Sequence, residues 1–496
     1  MFFQASYKLN RQERLGHLIR QYHMKEPRSK ILKFVGSLIL LNAIFLLFVA
    51  LGKPEAILGH PQLAYIYVGF IGLAGIGWLI CNPRVGWSHA VIWYTLIFWL
   101  FHFGLVFFAG IFPWLPLELS DKWWRWQWLW NREAVLASIE ACIFLLSFLL
   151  GFYIITSRFV DQFEAELEAN KNIKIKAIFI GSGCLGVAEV LFLIAFFNLS
   201  GIVPYHLLGE NRNYLNWASI LSSFGFVLLI AGKASKRLIY YLIPISLGPI
   251  WLYSLATGAR TGPFVGGVIL LRALIWRGFK VNLILLIGLV IFSLGTISFI
   301  REIRTTGVTR LEDLVDCSYA FNPVLGIMEL GGSLKPVYVV IERIELGEKY
   351  RFGATYLYPF YRQFLKLKRE PLPDPKYDPL MPSYYFSNWG GSIGFSTVAE
   401  AYYNAGTIGV IIFAFLWGGV LGFLHYSSKS SIGFVIENAF LIPMIVNIRN
   451  SFIFVLAWIF VLSIIGLIAC WPYNEKEKRR LVYQGIRNLE RKIKGL

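Results

Sequence analysis

The chain has 496 residues, of which 56% are hydrophobic and only 15% charged. The apolar residues gather in runs long enough to cross a bilayer as helix, which takes roughly 20 residues each, and this excludes one large soluble domain. The formal charge of +18 comes from short basic blocks between the runs, so it reads as membrane topology rather than nucleic-acid binding.

In chain order, 1–33 reads as a basic tail and is expected to carry no cleavable signal; it holds Lys8, Arg11, Arg14, Arg20, Lys25, Arg28, Lys30 and Lys33. Apolar spans follow near 34–52, 63–81, 90–112, 134–156, 176–197, 214–231, 238–256, 262–276 and 281–300. After a long connection they resume near 404–424, 432–447 and 451–471, and 472–496 is a second basic tail. The expectation is an all-α polytopic protein with about twelve transmembrane helices. Its membrane domain covers 34–300 and 404–471, and 301–403 forms one large external loop. Arg84, Arg158, Lys171, Lys174, Lys176, Lys233, Lys236, Arg237, Arg272, Arg277, Lys280 and Lys429 all fall on the side of the two tails. Positive charge marks the cytoplasmic side, so both termini are expected there.

The 301–403 loop is too long for a structureless connection. Its 371–382 stretch is proline-rich, whereas Lys335 to Leu346 has apolar residues at helical spacing and is expected to lie along the membrane surface. Tryptophans crowd 123–130, as in an interfacial aromatic belt; the alternative is a sugar-stacking platform. The cysteines Cys81, Cys142, Cys184, Cys317 and Cys470 show no paired spacing, so no disulfide and no metal site are expected.

Arginines on the external side run against the topology rule and draw attention for that reason. They are Arg260 in the turn 257–263, Arg301 and Arg304 at the end of the ninth span, Arg449 between the last two spans, Arg362 in the loop, and Arg212. A guanidinium holds phosphate oxygens in a fork and keeps its charge at any relevant pH. Several at one membrane face suit a lipid diphosphate; the alternative is pairing with nearby carboxylates or headgroups.

The sharpest local pattern spans 390–406. A helix starting after Ser396 puts Glu400 and Asn404 on one face, with Tyr403 beside them. Glu400 then enters the membrane at its rim as a candidate base, unless it merely pairs with an arginine. His102, Glu140, Glu189 and Glu437 are intramembrane but scattered, which favours interhelical hydrogen bonds over a transport relay. His206 is a weaker candidate base, and no Walker A or HExxH motif is present.

Gly394, Phe395, Ser396, Ala399, Glu400, Tyr402, Asn404 and Gly406 together resemble the G-F-S-x-x-A-E-x-Y-x-N-F-G segment of the Wzy-type repeat-unit polymerases, with Ala405 in place of the usual phenylalanine. Gly353 to Tyr356 with Pro359 and Arg362 resembles a second family element, and Gly258 to Gly262 a third. The resemblance implies a GT-C-like, metal-independent glycosyltransferase with no cofactor in the bacterial inner membrane, its active face periplasmic. Its substrates would be undecaprenyl-diphosphate-linked oligosaccharides, transferred en bloc. Arg260, Arg301, Arg304 and Arg449 would hold diphosphate, with Arg362 assisting, and Glu400, Tyr402 and Asn404 would handle the acceptor hydroxyl. A chain-length regulator and a flippase are the partners it implies, besides membrane lipid; nucleic acid is not one. The alternatives are an O-antigen-ligase-like glycosyltransferase and a lipid-linked sugar flippase or transporter.

Overall fold

Within a bilayer every backbone N–H and C=O must be satisfied by the chain itself, which limits it to helices or a closed barrel. The computed structural model describes residues 36–38, 40–82, 85–114, 127–158, 171–199, 208–209, 211–257, 261–279, 283–306, 321–374, 377–382, 394–427 and 430–470. Every regular element among the described residues is helical.

The principal helices are α1 (Pro61–Cys81), α2 (Ala90–His102), α3 (Gly104–Ile111), α4 (Arg132–Arg158), α5 (Lys171–Asn198) and α6 (Asn211–Ala231). Then come α7 (Lys236–Leu255), α8 (Thr261–Trp276), α9 (Leu283–Thr306) and α10 (Pro323–Glu345). The chain continues with α11 (Ala354–Leu367), α12 (Thr397–Ser427), α13 (Ser431–Asn447) and α14 (Phe452–Cys470). Among the described residues, seven helices are long and apolar enough to cross a membrane, or eight if the α2–α3 pair, bent by 55°, counts as one span. Shorter apolar helices occur at Gly36–Gly52, Gly262–Trp276, Val290–Ile300, Ser431–Asn447 and Val455–Cys470. The protein is therefore a polytopic, all-helical membrane protein.

Helix starts follow local chemistry. Pro61 opens α1, where its missing N–H is not needed. Asn322 caps α10 by accepting from the backbone N–H of Val324 at 2.9 Å. Ser430 does the same for α13, from Gly433 at 3.0 Å.

Close approach between helices, rather than a water-driven effect, holds a membrane bundle together. The α4–α12 pair touches backbone to backbone: a Cβ on Gly418 would lie 1.9 Å from the Phe148 carbonyl oxygen, and one on Gly151 2.1 Å from that of Phe415. The same device seats α10. A Cβ on Gly326 would meet the Leu294 carbonyl oxygen at 2.0 Å, and one on Gly331 the Leu105 nitrogen at 2.0 Å.

Helix α10 corrects the expectation for Lys335–Leu346. The segment is helical, but Val337, Val339, Val340 and Ile341 are buried in protein rather than laid on a membrane surface. The Tyr338 hydroxyl accepts from Asn131 at 3.2 Å, and its ring meets Trp128 at 5.4 Å. The apolar Pro323–Gly331 stretch, continuous with this segment, carries it into the bundle. Trp128, from the tryptophan-rich stretch, is correspondingly buried; 123–126 lie outside the described residues.

Arg272 also differs from its reading as a solvent-side topology charge. It is fully buried and forms an ion pair with Glu437. Its Nε donates to the Ser88 carbonyl at 2.8 Å and its Nη1 to Asn438 Oδ1 at 2.5 Å. The guanidinium lies 5.0 Å from the Phe434 ring centre. The network joins α8, α13 and the connection before α2, and it gives Glu437 the interhelical role expected of it. Arg272→Ala should cost about 3–5 kcal/mol, because it strands a buried carboxylate. Replacing both partners, Arg272→Met with Glu437→Leu, should unfold closer to wild type; Tm of the detergent-purified proteins checks both.

Candidate functional site

The 390–406 motif begins its described part at Gly394, where a Cβ would come 2.7 Å from the carbonyl oxygen of Arg449. Only glycine permits that contact between the α12 entry and the α13–α14 link. Helix α12 starts at Thr397, as expected from a start after Ser396, and the Ser396 hydroxyl accepts from Ala399 N–H at 3.1 Å.

Two turns on, α12 breaks. Ala405 and Gly406 have non-helical dihedrals, with Gly406 at φ +61°, a left-handed conformation that suits glycine. The break deprives the Tyr403 and Asn404 carbonyls of their helical donors. The turn at 351–353, with Phe352 and Gly353 both at positive φ, supplies replacements: Arg351 N–H donates to Tyr403 O at 3.0 Å and Phe352 N–H to Asn404 O at 2.8 Å. The Asn404 side chain then spans the junction. Its Oδ1 accepts from Gly353 N–H at 2.8 Å, and its Nδ2 donates to Thr355 Oγ1 at 2.7 Å and to the Glu400 carbonyl at 2.8 Å.

Glu400 is 1% exposed. Its Oε2 accepts from the backbone N–H of Phe452 at 2.6 Å, at the first residue of α14. A carboxylate there satisfies one free N–H of the helix end and is favoured by the helix dipole. The Thr355 side chain also acts on the carboxylate, yet Oε1 is buried and makes no well-formed hydrogen bond among the described residues, and the same holds for Thr397 Oγ1, Asn447 Oδ1 and Ser451 Oγ. Unsatisfied buried polar groups cost about 1–3 kcal/mol each, so a cluster of them calls for a ligand or a chemical role. Among the described residues Glu400 is in no ion pair with an arginine.

One wall is aromatic. Tyr356 stacks on Phe413 at 4.9 Å and meets Phe452 edge-on at 5.4 Å, and Trp417 continues the wall 5.3 Å from Phe413. On the far side of the α12 break, Glu140 is fully buried and accepts from the Thr407 hydroxyl. At the junction Arg351 donates to the Tyr403 hydroxyl at 2.7 Å and pairs with Glu348. Burial in this pocket, then the nearby Glu400 charge, raises the Tyr356 phenol well above its ordinary value, so it stays a neutral hydrogen-bonding group.

Of the residues singled out from sequence, Glu400 and Asn404 come together as expected. Tyr402 is buried, with its ring 6.3 Å from Tyr350, on a different face of α12 from Glu400. Arg449 is half-buried and lines a cavity of about 20 Å³ with Phe101, Phe264, Ile297 and Val446, among others. Arg301 and Arg304 lie on the last turns of α9, beyond Ile297. Arg260 and His206 lie outside the described residues. Arg212 lies at the start of α6. Arg362 lies over the Tyr358 ring and against Met381, about 10 Å along the helix from Thr355 at 1.5 Å per residue. His102 is buried, stacked on Phe98, with Nε2 3.4 Å from the Ser396 hydroxyl. Among the described residues no three His, Cys, Asp or Glu side chains form a metal-binding group.

Thr355, Tyr356, Arg351 and Phe452 were not proposed from sequence. The first two lie inside the 353–362 element, so a signal existed; the backbone N–H of Phe452 leaves none.

A family model described as O-antigen polysaccharide polymerase Wzy matches residues 37–475. The chain belongs to the Wzy family of O-antigen polysaccharide polymerases. This Wzy chain is also 26% identical to Protein CapE of Staphylococcus aureus over 430 residues, 85% of its own length and 92% of that protein. No solved structure matches it. The family-like segments at 353–362 and 394–406, distant in sequence, are the ones that hydrogen-bond to each other here.

Glu400→Gln keeps an acceptor for Phe452 N–H, whereas Glu400→Ala removes it. The alanine variant should lose about 1–3 kcal/mol and the glutamine variant much less, read as Tm. Gly406→Ala should cost about 1–3 kcal/mol for a backbone conformation that essentially only glycine adopts, and its methyl would press on the Tyr350 hydroxyl, 3.1 Å away.

Proposed function

We propose that this protein joins undecaprenyl-diphosphate-linked oligosaccharide repeat units at the periplasmic face of the bacterial inner membrane, with both its termini in the cytoplasm. The observation that carries the reading is the Glu400 carboxylate. One oxygen is held by the start of α14, and the other is buried without a well-formed hydrogen bond among the described residues, near Thr355 and Tyr356. That is the arrangement of a fixed general base awaiting a hydroxyl.

In this reaction the acceptor is the non-reducing-end hydroxyl of one lipid-linked unit. Glu400 takes its proton as the oxygen bonds to the anomeric carbon of the growing chain. The bond from that carbon to the diphosphate oxygen breaks, and undecaprenyl diphosphate leaves with the electron pair. The growing chain is thus transferred en bloc. Asn404 fixes the Glu400 turn of α12 against α11, and Tyr356 supplies an aromatic edge for a sugar ring.

Charge developing on the leaving diphosphate needs cations, and the reading assigns these to Arg260, Arg301, Arg304 and Arg449, with Arg362 assisting from α11. Support comes from the cavity beside Arg449. Its wall includes Phe264, on the first turn of α8 just after Arg260, and Ile297, one turn before Arg301. The link 449–452 joins this region to the carboxylate, since Arg449 O meets Gly394 and Phe452 N–H meets Glu400. A flippase would deliver units to this face, and a chain-length regulator would set how many are joined.

Glycan profiles of a deletion strain carrying variant copies test the reading. Glu400→Gln should fold and insert, yet lower polymerisation by about 10²–10⁴-fold, the usual contribution of a general base, leaving single repeat units. Arg260→Ala, Arg301→Ala and Arg304→Ala should do the same. A normal ladder from stably inserted Glu400→Gln removes its role as base. Long chains stranded on the lipid carrier in the deletion strain would indicate a ligase instead.

A further inference from the structure

Helix α11 has its apolar residues on the outside. Thr355, Tyr358, Pro359 and Leu365 are buried against the bundle, and the opposite face carries Leu357 (68% exposed), Phe360 (60%), Phe364 (52%) and Leu367 (84%). Their spacing of 3, 4 and 3 residues makes one continuous stripe. In water such a stripe is costly: full burial of a large apolar side chain is worth about 1.5–3 kcal/mol. Something covers it.

Charge chooses between the candidates. Lys366, Lys368 and Arg369 are all exposed at the end of the stripe. The ammonium group of Lys368 sits 4.5 Å from the centre of the Phe364 ring, so its stem already lies along apolar surface. Lys368 also lies 4.0 Å from the exposed Glu370 carboxylate, which leaves a net positive end, and long basic side chains at the border of an apolar face fit a bilayer interface with anionic headgroups. The surrounding surface agrees. Helix α11 packs on α14, whose Phe460, Ile464, Leu467 and Ile468 are exposed as expected for lipid-facing residues.

We propose that α11 is an interfacial helix that lies on the membrane leaflet at this end of the bundle, with Leu357, Phe360, Phe364 and Leu367 in the acyl region and Lys366, Lys368 and Arg369 at anionic phospholipid headgroups. The inference needs only a membrane-embedded bundle and is independent of the proposed reaction. Its consequence for the site is geometric. The buried face of the same helix carries Thr355, bonded to Asn404, and Tyr356, packed on Phe452, so the leaflet sets the level of the Glu400 pocket at the headgroup layer. Length agrees, because α11's 14 residues span about 21 Å at 1.5 Å per residue, which suits a helix lying flat.

The test uses full-length protein with its five native cysteines replaced. It is reconstituted in vesicles of phosphatidylcholine with or without phosphatidylglycerol. A polarity-sensitive fluorophore is attached to Leu357→Cys, Phe364→Cys, Leu367→Cys or, as a water-exposed control, Lys349→Cys. Probes on the stripe should emit at shorter wavelength than the control and be quenched by spin-labelled phospholipid, more strongly with phosphatidylglycerol present. Water-like, unquenched emission from all positions overturns the proposal. Short-wavelength emission that spin-labelled lipid does not quench also overturns it, and assigns the stripe to a protein partner such as a second copy. Equal quenching with and without phosphatidylglycerol overturns the headgroup assignment.

Discussion

The break in α12 at Ala405–Gly406 is the constraint on which the rest of the site depends. In a low-dielectric bundle two carbonyls without donors are costly, so the break exists only because another segment supplies N–H groups. Residues 351–353 do so for Tyr403 and Asn404. That pairing brings Thr355 and Tyr356 to the Glu400 face of the helix, and it sets the direction in which α11 leaves the bundle. A straight α12 would have no need of 351–353, and the pocket would lose the wall they bring.

The short link between α13 and α14 is the second fixed point. Gly394 lies against the Arg449 carbonyl, and Glu400 takes the first N–H of α14. These contacts hold the entry of α12, the last helix and an arginine within one small region. The site is assembled from backbone groups as much as from side chains. A carboxylate with one oxygen fixed in this way keeps its rotamer without an ionic partner, so its second oxygen stays available. The same geometry also serves helix capping, and glutamine in place of Glu400 separates the two because it preserves the acceptor and removes the charge.

Two amphipathic segments of the 301–403 stretch illustrate what periodicity tells and what it does not. Lys335–Glu345 and Ala354–Leu367 both repeat apolar residues at helical spacing. The first continues a glycine-bearing apolar stretch, and Gly326 and Gly331 let that stretch pack into the bundle, so its face is covered by protein. The second follows the Gly353 turn and is held by the α12 break, so its apolar face points outward. Spacing establishes that a face exists; neighbours decide what covers it.

The sequence by itself determined that the chain is a helical membrane protein, because hydropathy acts over contiguous runs. It also determined that α12 starts after Ser396 and that Glu400 and Asn404 share a face, because capping and helical period are local. Only the tertiary structure decided that Arg272 is a buried partner of Glu437 rather than a charge on the membrane surface, since the two are 165 residues apart. It alone decided that Thr355 and Tyr356 complete the pocket and that Phe452 holds the carboxylate through a backbone N–H. Those features depend on long-range partners and on main-chain groups that every residue type except proline presents alike, so no local pattern in the sequence encodes them.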